Sequence, residues 1–469
     1  MDYRNLHPSI LRAYDIRGIV GDTFSAADTY AVGRAFGTVV REGGGRSVAV
    51  GRDGRLSSPE LEAALVDGLA KAGLKIYRIG VGPSPMLYFA DRLLETDGAL
   101  MITGSHNPSH YNGVKMVLKH KPFFGEAILR LGAIAAGGGY DTAPGALVID
   151  RPVMDEYIAR LLEDWRGHRS LRVAWDPGNG AAGEAVQRLV KELPGHHVLI
   201  NEAIDGTFPA HHPDPTVEAN LAQLKDLVAR ESCDLGLAFD GDGDRIGVVD
   251  GMGRVLWGDQ LLVVLAGEVL AERPGAPIIA DVKASRVFVD EIARLGGKPL
   301  LWKTGHSLIK SKMAEDDVPL AGEMSGHIFF ADRWYGFDDA LYAALRLLSI
   351  LARTDVSLAE MRDALPALVN TPELRFDCPE DRKFEVVEAV RAALARRPGI
   401  RINSIDGLRV DTEDGWWLVR ASNTQAVLVA RCESATYEGL ERLKADLREC
   451  LENAGLNLPA DMDGAHAGT

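Results

Sequence analysis

SVAVGRD at 47–53, followed by SPELEAALVDGLAKAG at 58–73, sets the pattern from which the fold is read. The first piece is a short β-branched run closing on Gly and Asp. The second starts Ser-Pro and carries Leu61, Leu65 and Leu69 at helical spacing, which predicts a helix with one apolar face. The scheme returns twice. LRVAWDPGNG at 171–180 leads into AAGEAVQRLVKEL, and PIIADVKAS at 277–285 leads into RVFVDEIARLG. Three strand–polar loop–helix units at similar spacing predict three related α/β domains.

The last hundred residues follow another plan. Helix-like FEVVEAVRAALARR precedes IRINSIDGLRV, WWLVRASNT and AVLVARCES, and helix-like YEGLERLKADLREC follows them. Turns at Asp406-Gly407 and Asp414-Gly415 suggest hairpins, hence an α+β unit. The expected division is 1–150, 151–256, 257–366 and 367–469. Residues 137–147, GGGYDTAPGAL, read as a linker, and the tail from 458 as frayed.

The 469 residues hold 52 Lys+Arg against 67 Asp+Glu, a net charge of −15. So acidic a surface repels a phosphate backbone, which argues against nucleic-acid binding but not against a small anion in a local basic cleft. The 4 cysteines lie far apart, so neither structural zinc nor a disulfide framework is expected. MDYRNLHPSIL lacks the basic and apolar regions of a signal peptide. The most apolar runs are broken by Glu268 and Arg346, so no membrane span is expected. A soluble cytoplasmic protein, monomeric by default, is the expectation.

The sharpest chemical signal is AFDGDGDRIG at 238–247. Asp240, Asp242 and Asp244 alternate with glycines after an apolar strand. In an extended loop alternate side chains share a direction, so the three carboxylates converge, and a hard divalent cation relieves their repulsion. An acidic surface turn is the plainer alternative; the position at a strand end, followed at once by Arg245, argues against it. An EF-hand fits badly, with Arg245 at its sixth position and Gly251 at its twelfth.

Three further motifs stand beside it. MITGSHNPSHYNGVK at 101–115 places Ser105, His106 and Asn107-Pro108 in a loop after a strand. It is no hydrolase elbow, since Thr103 and Asn107 stand where that motif needs glycines. In AGEMSGHIFF, 321–330, Glu323, Ser325 and His327 alternate and suit sugar hydroxyls. In VRASNTQAVLVARCES, 419–434, Arg420, Ser422, Asn423 and Thr424 form a dense donor set suited to a phosphate dianion. Each, taken alone, also reads as an ordinary polar turn. Tyr14 and Arg17 in RAYDIRG, His306 in a loop before a helix in KTGHS, and Lys283 add lesser candidates. There is no P-loop, and Ile246 breaks any G-x-G-x-x-G around 241–243.

Taken in order, YDIRG at 14–18, TGSHNP at 103–108, DGDGDR at 240–245, KTGHS at 303–307, GEMSGH at 322–327 and RASNT at 420–424 resemble the α-D-phosphohexomutase family over nearly the whole chain. The nearest resemblance is to its bacterial branch acting on mannose and glucose phosphates. The resemblance implies four domains around a central cleft, each giving one main loop, the first three of one α/β topology. It implies a phosphoserine at Ser105, and Mg²⁺ held by Asp240, Asp242, Asp244 and a phosphoserine oxygen. Mg²⁺ would neutralise the phosphoryl charge and stabilise the leaving serine oxygen. Lys115 and Arg245 would add positive charge.

A phosphoryl group would pass to a hexose 1- or 6-phosphate. The product, glucose or mannose 1,6-bisphosphate, would turn end for end and serve also as activator. Tyr14, Lys283, His306, Glu323, Met324, Ser325, Gly326, His327, Arg420, Ser422, Asn423 and Thr424 would bind substrate. Arg17, His106, Lys115, Arg245 and His306 would stand near the reacting hydroxyls. His306 or Lys115 is the easier proton acceptor if its pKa is lowered; arginine's lies above 12. The family usually has a proline two residues after RASNT, where this chain has Gln425-Ala426. Met324 matches the glucose and mannose enzymes, since glucosamine-phosphate mutases, the nearest alternative, typically carry Gln there. A silent sugar-phosphate sensor and a phosphatase are the alternatives of other classes; the intact Ser105 and aspartates argue against the first, the complete RASNT loop against the second.

Overall fold

The computed structural model describes residues 4–422 and 426–458. The described residues form four β-sheets. In the first, Ser47–Arg52 lies parallel between Lys75–Val81 and Gly98–Ile102, and Tyr111–Leu118 runs antiparallel beside the latter. In the second, Leu171–Asp176 lies parallel between Gly195–Leu199 and Leu235–Phe239, with Ile246–Asp250 folded back antiparallel. In the third, Pro277–Asp281 lies parallel between Lys298–Trp302 and Leu320–Gly322, with Ile328–Phe330 folded back. The strand order is the same three times, as the sequence repeat predicts.

Parallel neighbours need a crossover, and here it is helical. Ser58–Lys71, Gly183–Glu192 and Arg286–Arg294 follow the central parallel strand of each unit, Ser47–Arg52, Leu171–Asp176 and Pro277–Asp281. Leu61, Leu65 and Leu69 are all buried, so the helical spacing marks the face that covers the sheet. Val48, Ala49 and Val50 are buried in succession rather than alternately, because helices cover both faces of a parallel sheet. In each unit the loop joining the last parallel strand to the antiparallel one is a motif already singled out: 103–110, 240–245 and 323–327. Three equivalent connections thus carry the chemistry-bearing residues.

The stretch 137–147 is not a linker between units. The chain leaves helix Glu126–Gly137 and returns as strand Leu147–Asp150, parallel to Lys75–Val81, within the first sheet. Its glycines serve the return path, and composition alone does not distinguish that from a linker.

The last sheet is built as the sequence suggests, from antiparallel strands. Leu408–Thr412, Gly415–Ala421 and Val427–Ser434 form its centre, and helices Lys383–Leu394 and Tyr437–Asn453 cover one face. The first three units share a continuous apolar core that runs through helix Ala340–Leu351, whereas the fourth has a core of its own. Its other face meets the third unit. There the Arg409 guanidinium stacks 3.7 Å from the Trp416 ring and donates to the carbonyls of Val282 and Ala284.

Candidate active site

Ser105 sits just past strand Gly98–Ile102, buried, with φ of 51°, an uncommon conformation for a residue with a Cβ. Its hydroxyl donates to Asp240 Oδ2 at 3.1 Å and lies 3.2 Å from His106 Nδ1. The first two loops meet closely: a Cβ on Gly241 would lie 2.3 Å from the Ser105 carbonyl oxygen. The glycine of Asp-Gly-Asp is therefore what lets the aspartates reach the serine.

Asp240, Asp242 and Asp244 are wholly buried, and one oxygen from each lies within 4.8 Å of the others. Lys115 Nζ sits 2.7 Å from Asp242 Oδ2 and also bonds Asp244, while Ser84 donates to Asp242. Two unit charges 4 Å apart interact by about 4 kcal/mol at an effective dielectric of about 20. Three mutual repulsions therefore face two attractions from Lys115, with desolvation added. Burial, then Asp244 and Asp242, push the Asp240 carboxyl well above the usual range. Asp242 Oδ1 has no hydrogen-bond partner, and Asp244 Oδ1 meets only the imidazole of His327, at 3.3 Å. Buried hard oxygens with unused lone pairs and surplus negative charge fit a divalent cation such as Mg²⁺.

The third loop closes on the second. The Gly326 carbonyl accepts the Ile246 N–H at 3.0 Å, and His327 pairs with Arg245 through the backbone. Glu323, expected to face sugar hydroxyls, accepts the Gly305 N–H at 2.7 Å and lies 2.9 Å from His327 Nδ1. Ser325 Oγ is 3.1 Å from the same nitrogen, and His327 Nε2 is 3.3 Å from Asp244 Oδ1. Burial acts to lower the His327 pKa, but Asp244 and Glu323 outweigh it and raise it to about 9.

His306 is the first residue of helix His306–Asp316 rather than part of the loop before it. Its ring lies 6.0 Å from Tyr14 and 5.6 Å from His327, and its Nδ1 is 3.7 Å from Asp338 Oδ2. Burial, then Lys310 and His327, hold it well below the usual histidine range. Burial, then Arg245 and Arg17, do the same to His106. Lys115 goes the other way: burial acts to lower its pKa, but Asp242 and Asp244 raise it. The lowered pKa asked of a proton acceptor is met by His306 and not by Lys115.

Tyr14 donates its hydroxyl to the Thr304 carbonyl at 2.8 Å, and Arg17 pairs with Asp15. Lys283 faces the fourth unit, with Nζ 3.0 Å from Glu373, and Met324 lies against Arg431. Arg420 Nε donates to Asp406 Oδ2 at 2.9 Å, and the Ser422 amide donates to the Val427 carbonyl. Asn423 and Thr424 lie outside the described residues.

Sequence reasoning missed Asp406, Ser84, Asp338 and the pair Asp53–Arg55. One signal was present. Each α/β unit has an aspartate at the end of its central parallel strand: Asp53, Asp176 and Asp281. Asp53 accepts the Gly104 N–H at 3.1 Å and Asp281 the Met324 N–H at 3.4 Å, so both brace the loop after the neighbouring strand. Asp176 braces its own loop through the Gly178 N–H, together with Asn201 and His211.

Comparison with known proteins gives one consistent result. Family models described as phosphoglucomutase/phosphomannomutase match in all four parts: alpha/beta/alpha domain I at 8–131, domain II at 155–253, domain III at 257–369 and the C-terminal domain at 373–450. A phosphomannomutase/phosphoglucomutase of Pseudomonas aeruginosa is 44% identical over 455 residues, covering 97% of this chain and 98% of its own. A phosphoglucomutase of Neisseria meningitidis is 41% identical over 452 residues, 96% of this chain and 98% of its own. A solved structure of a phosphoglucomutase/phosphomannomutase family protein from Burkholderia thailandensis superposes with a TM-score of 0.91 at 43% identity. It covers 97% of this chain and 100% of that one.

Proposed function

The chain belongs to the phosphoglucomutase/phosphomannomutase family and is a hexose-phosphate mutase, and we propose that it interconverts the 1- and 6-phosphates of mannose and of glucose through a phosphoserine at Ser105. The observation carrying this is the meeting of three equivalent loops: Ser105 Oγ on Asp240, and His327 of the third loop on Asp244 of the second. The names of the relatives favour mannose and glucose over glucosamine phosphates. The domain division at 150, 256 and 366, a cytoplasmic place and a monomeric form belong to the same proposal.

In this reading Asp240, Asp242, Asp244 and the phosphorylated Ser105 would hold Mg²⁺, which when bound supplies positive charge against the phosphoryl oxygens and the departing serine oxygen. The bond from Ser105 Oγ to phosphorus breaks as one forms to the free sugar hydroxyl. That hydroxyl's proton passes to a neutral imidazole, His306 or His106, and a proton returns to Ser105 Oγ. Lys115, Arg245 and His327 face the charge that shifts between the two oxygens. The resulting 1,6-bisphosphate turns, and its other phosphoryl group returns to Ser105, leaving the isomeric monophosphate. Added glucose or mannose 1,6-bisphosphate primes an unphosphorylated serine by the second half of the cycle.

The fourth unit grips the phosphate that is not reacting, through Arg420, Ser422, Asn423 and Thr424. Tyr14, Lys283, Glu323, Met324, Ser325 and Gly326 line the sugar's place. Because the fourth unit has a core of its own, it can close over the cleft as a body and keep water from the phosphoserine.

A ³¹P NMR time course tests the proposal. Protein, Mg²⁺ and a trace of glucose 1,6-bisphosphate are given glucose, mannose or glucosamine 1-phosphate. Conversion of the first two to 6-phosphates with little inorganic phosphate is expected. Turnover of the glucosamine ester alone, or release of inorganic phosphate, overturns it.

A further inference from the structure

Arg55 lies outside every motif that carries the family resemblance, yet it is the most completely used donor near Ser105. Its side chain is 0% exposed. A guanidinium has five N–H bonds in a fixed plane, and all five are placed. Nε donates to Asp53 Oδ2 at 3.1 Å. Nη1 donates to the carbonyls of Pro108 at 2.5 Å and Tyr111 at 3.1 Å. Nη2 donates to the carbonyls of Ser105 at 2.7 Å and Asn107 at 2.6 Å. Three carbonyls of the nucleophile's own loop and that of Tyr111, which opens the next strand, thus converge on one cation. Carbonyl dipoles aimed at one dry point repel each other unless a charge sits there, so the loop holds this shape only around Arg55.

The surroundings are fitted to the clamp. A Cβ on Gly104 would stand 2.4 Å from Arg55 Cζ, so the residue before Ser105 has to be glycine for the guanidinium to reach. Asp53 also accepts the amides of Arg55 and Gly104 and the hydroxyl of Ser58. The Phe208 ring, from the second unit, lies 5.1 Å from the guanidinium. The effect on the serine is direct. In a trans peptide the C=O and the following N–H point opposite ways. Holding the Ser105 carbonyl on Arg55 therefore turns the His106 amide away from Arg55, and it fixes Ser105 in its left-handed conformation.

The geometry points to Arg55 as a positioning residue for the mutase reaction: it clamps loop 104–111 so that the Ser105 oxygen stays in line with the metal-ligating aspartates and the incoming hydroxyl. It touches no substrate. The inference rests on Ser105 as the phosphoryl carrier, which mass spectrometry of peptides from the wild-type phosphoenzyme checks separately; phosphate on another residue would sink the carrier assignment itself.

The test compares Arg55→Lys, Arg55→Met and Gly104→Ala with wild type, each corrected for the fraction of sites that accept phosphate from glucose 1,6-bisphosphate. Lysine keeps the charge but has three donors for five acceptors, and Gly104→Ala pushes the guanidinium away without altering it. A misplacement of about 1 Å costs about 100-fold in rate. The expected result is kcat down about 10- to 100-fold in Arg55→Lys and Gly104→Ala, further down in Arg55→Met, with KM for glucose 1-phosphate within about twofold of wild type. If Arg55→Met does not fold, the other two variants decide. Wild-type kcat per phosphorylatable site, whatever the melting temperature, overturns the inference, as does a rise in KM matching the fall in kcat.

Discussion

Asp406 holds Arg420: its Oδ2 accepts the guanidinium Nε at 2.9 Å, and the same oxygen accepts the Thr304 amide at 3.0 Å. The Thr304 carbonyl in turn accepts the Tyr14 hydroxyl. One residue of the third unit, Thr304, therefore joins Arg420 of the fourth unit to Tyr14 of the first. Hydrogen bonds to charged groups contribute about 1.5–3 kcal/mol. Asp406→Ala is expected to raise KM for glucose 1-phosphate about 10- to 100-fold, measured by steady-state kinetics. An unchanged KM would show that the carboxylate does not set the arginine.

Arg420→Ala tests the phosphate grip proposed for the fourth unit. Transfer is expected to fall at least about tenfold while hydrolysis of the phosphoenzyme falls less, so inorganic phosphate rises relative to product. Counting both products by ³¹P NMR settles it; an equal fall in both rates goes against water exclusion by the fourth unit.

Gly305 has φ of 133°, and a Cβ there would stand 2.5 Å from Tyr14 Cζ. Gly305→Ala is expected to cost about 1–3 kcal/mol in backbone strain and to push Tyr14 off Thr304. In a Tyr14→Ala background the clash is gone and only the strain remains, so the same substitution should cost less there. Equal costs in both backgrounds, by thermal melts, would deny the contact.

Glu373 ties the fourth unit to Lys283, and its pKa is lowered from 4.5 to about 2: burial acts upward, but Lys283 and Arg375 outweigh it. A folded pKa below the unfolded one means the ionised pair stabilises above about 4.5 and is lost as pH falls toward 2. The shift is worth up to about 3 kcal/mol at neutral pH. Glu373→Gln should melt below wild type at pH 7, and the gap should narrow as pH drops below about 4.5. A gap independent of pH would assign the loss to packing.

Asp242→Asn removes one carboxylate from the cluster. A ligand that binds the folded state at 100 times its Kd stabilises by about 2.7 kcal/mol. Mg²⁺ should therefore raise the melting temperature of wild type and leave the variant nearly unmoved, with kcat down about 100-fold or more. Equal Mg²⁺ shifts in both proteins would place the ion elsewhere.

The repeat and the reacting residue types are legible in the order of residues. Leu61, Leu65 and Leu69 marked a helix face, and Asp240, Asp242 and Asp244 converged because alternate residues of an extended loop point one way. Both are local periodicities, set by backbone geometry over a few residues. Ser105, His327 and Arg420 were visible as residue types in loops, but not as neighbours. The packing of distant segments sets the rest: two carboxylates hold Lys115 as a cation, Glu323 serves Gly305 and His327, and 137–147 returns a strand to the first sheet. That packing alone placed Arg55 beneath Ser105, 50 positions away in sequence, and Asp406 against Thr304, 102 positions away. The reason is physical: burial and the charges facing a group set what it does, and in this protein those neighbours come from other strands and other domains.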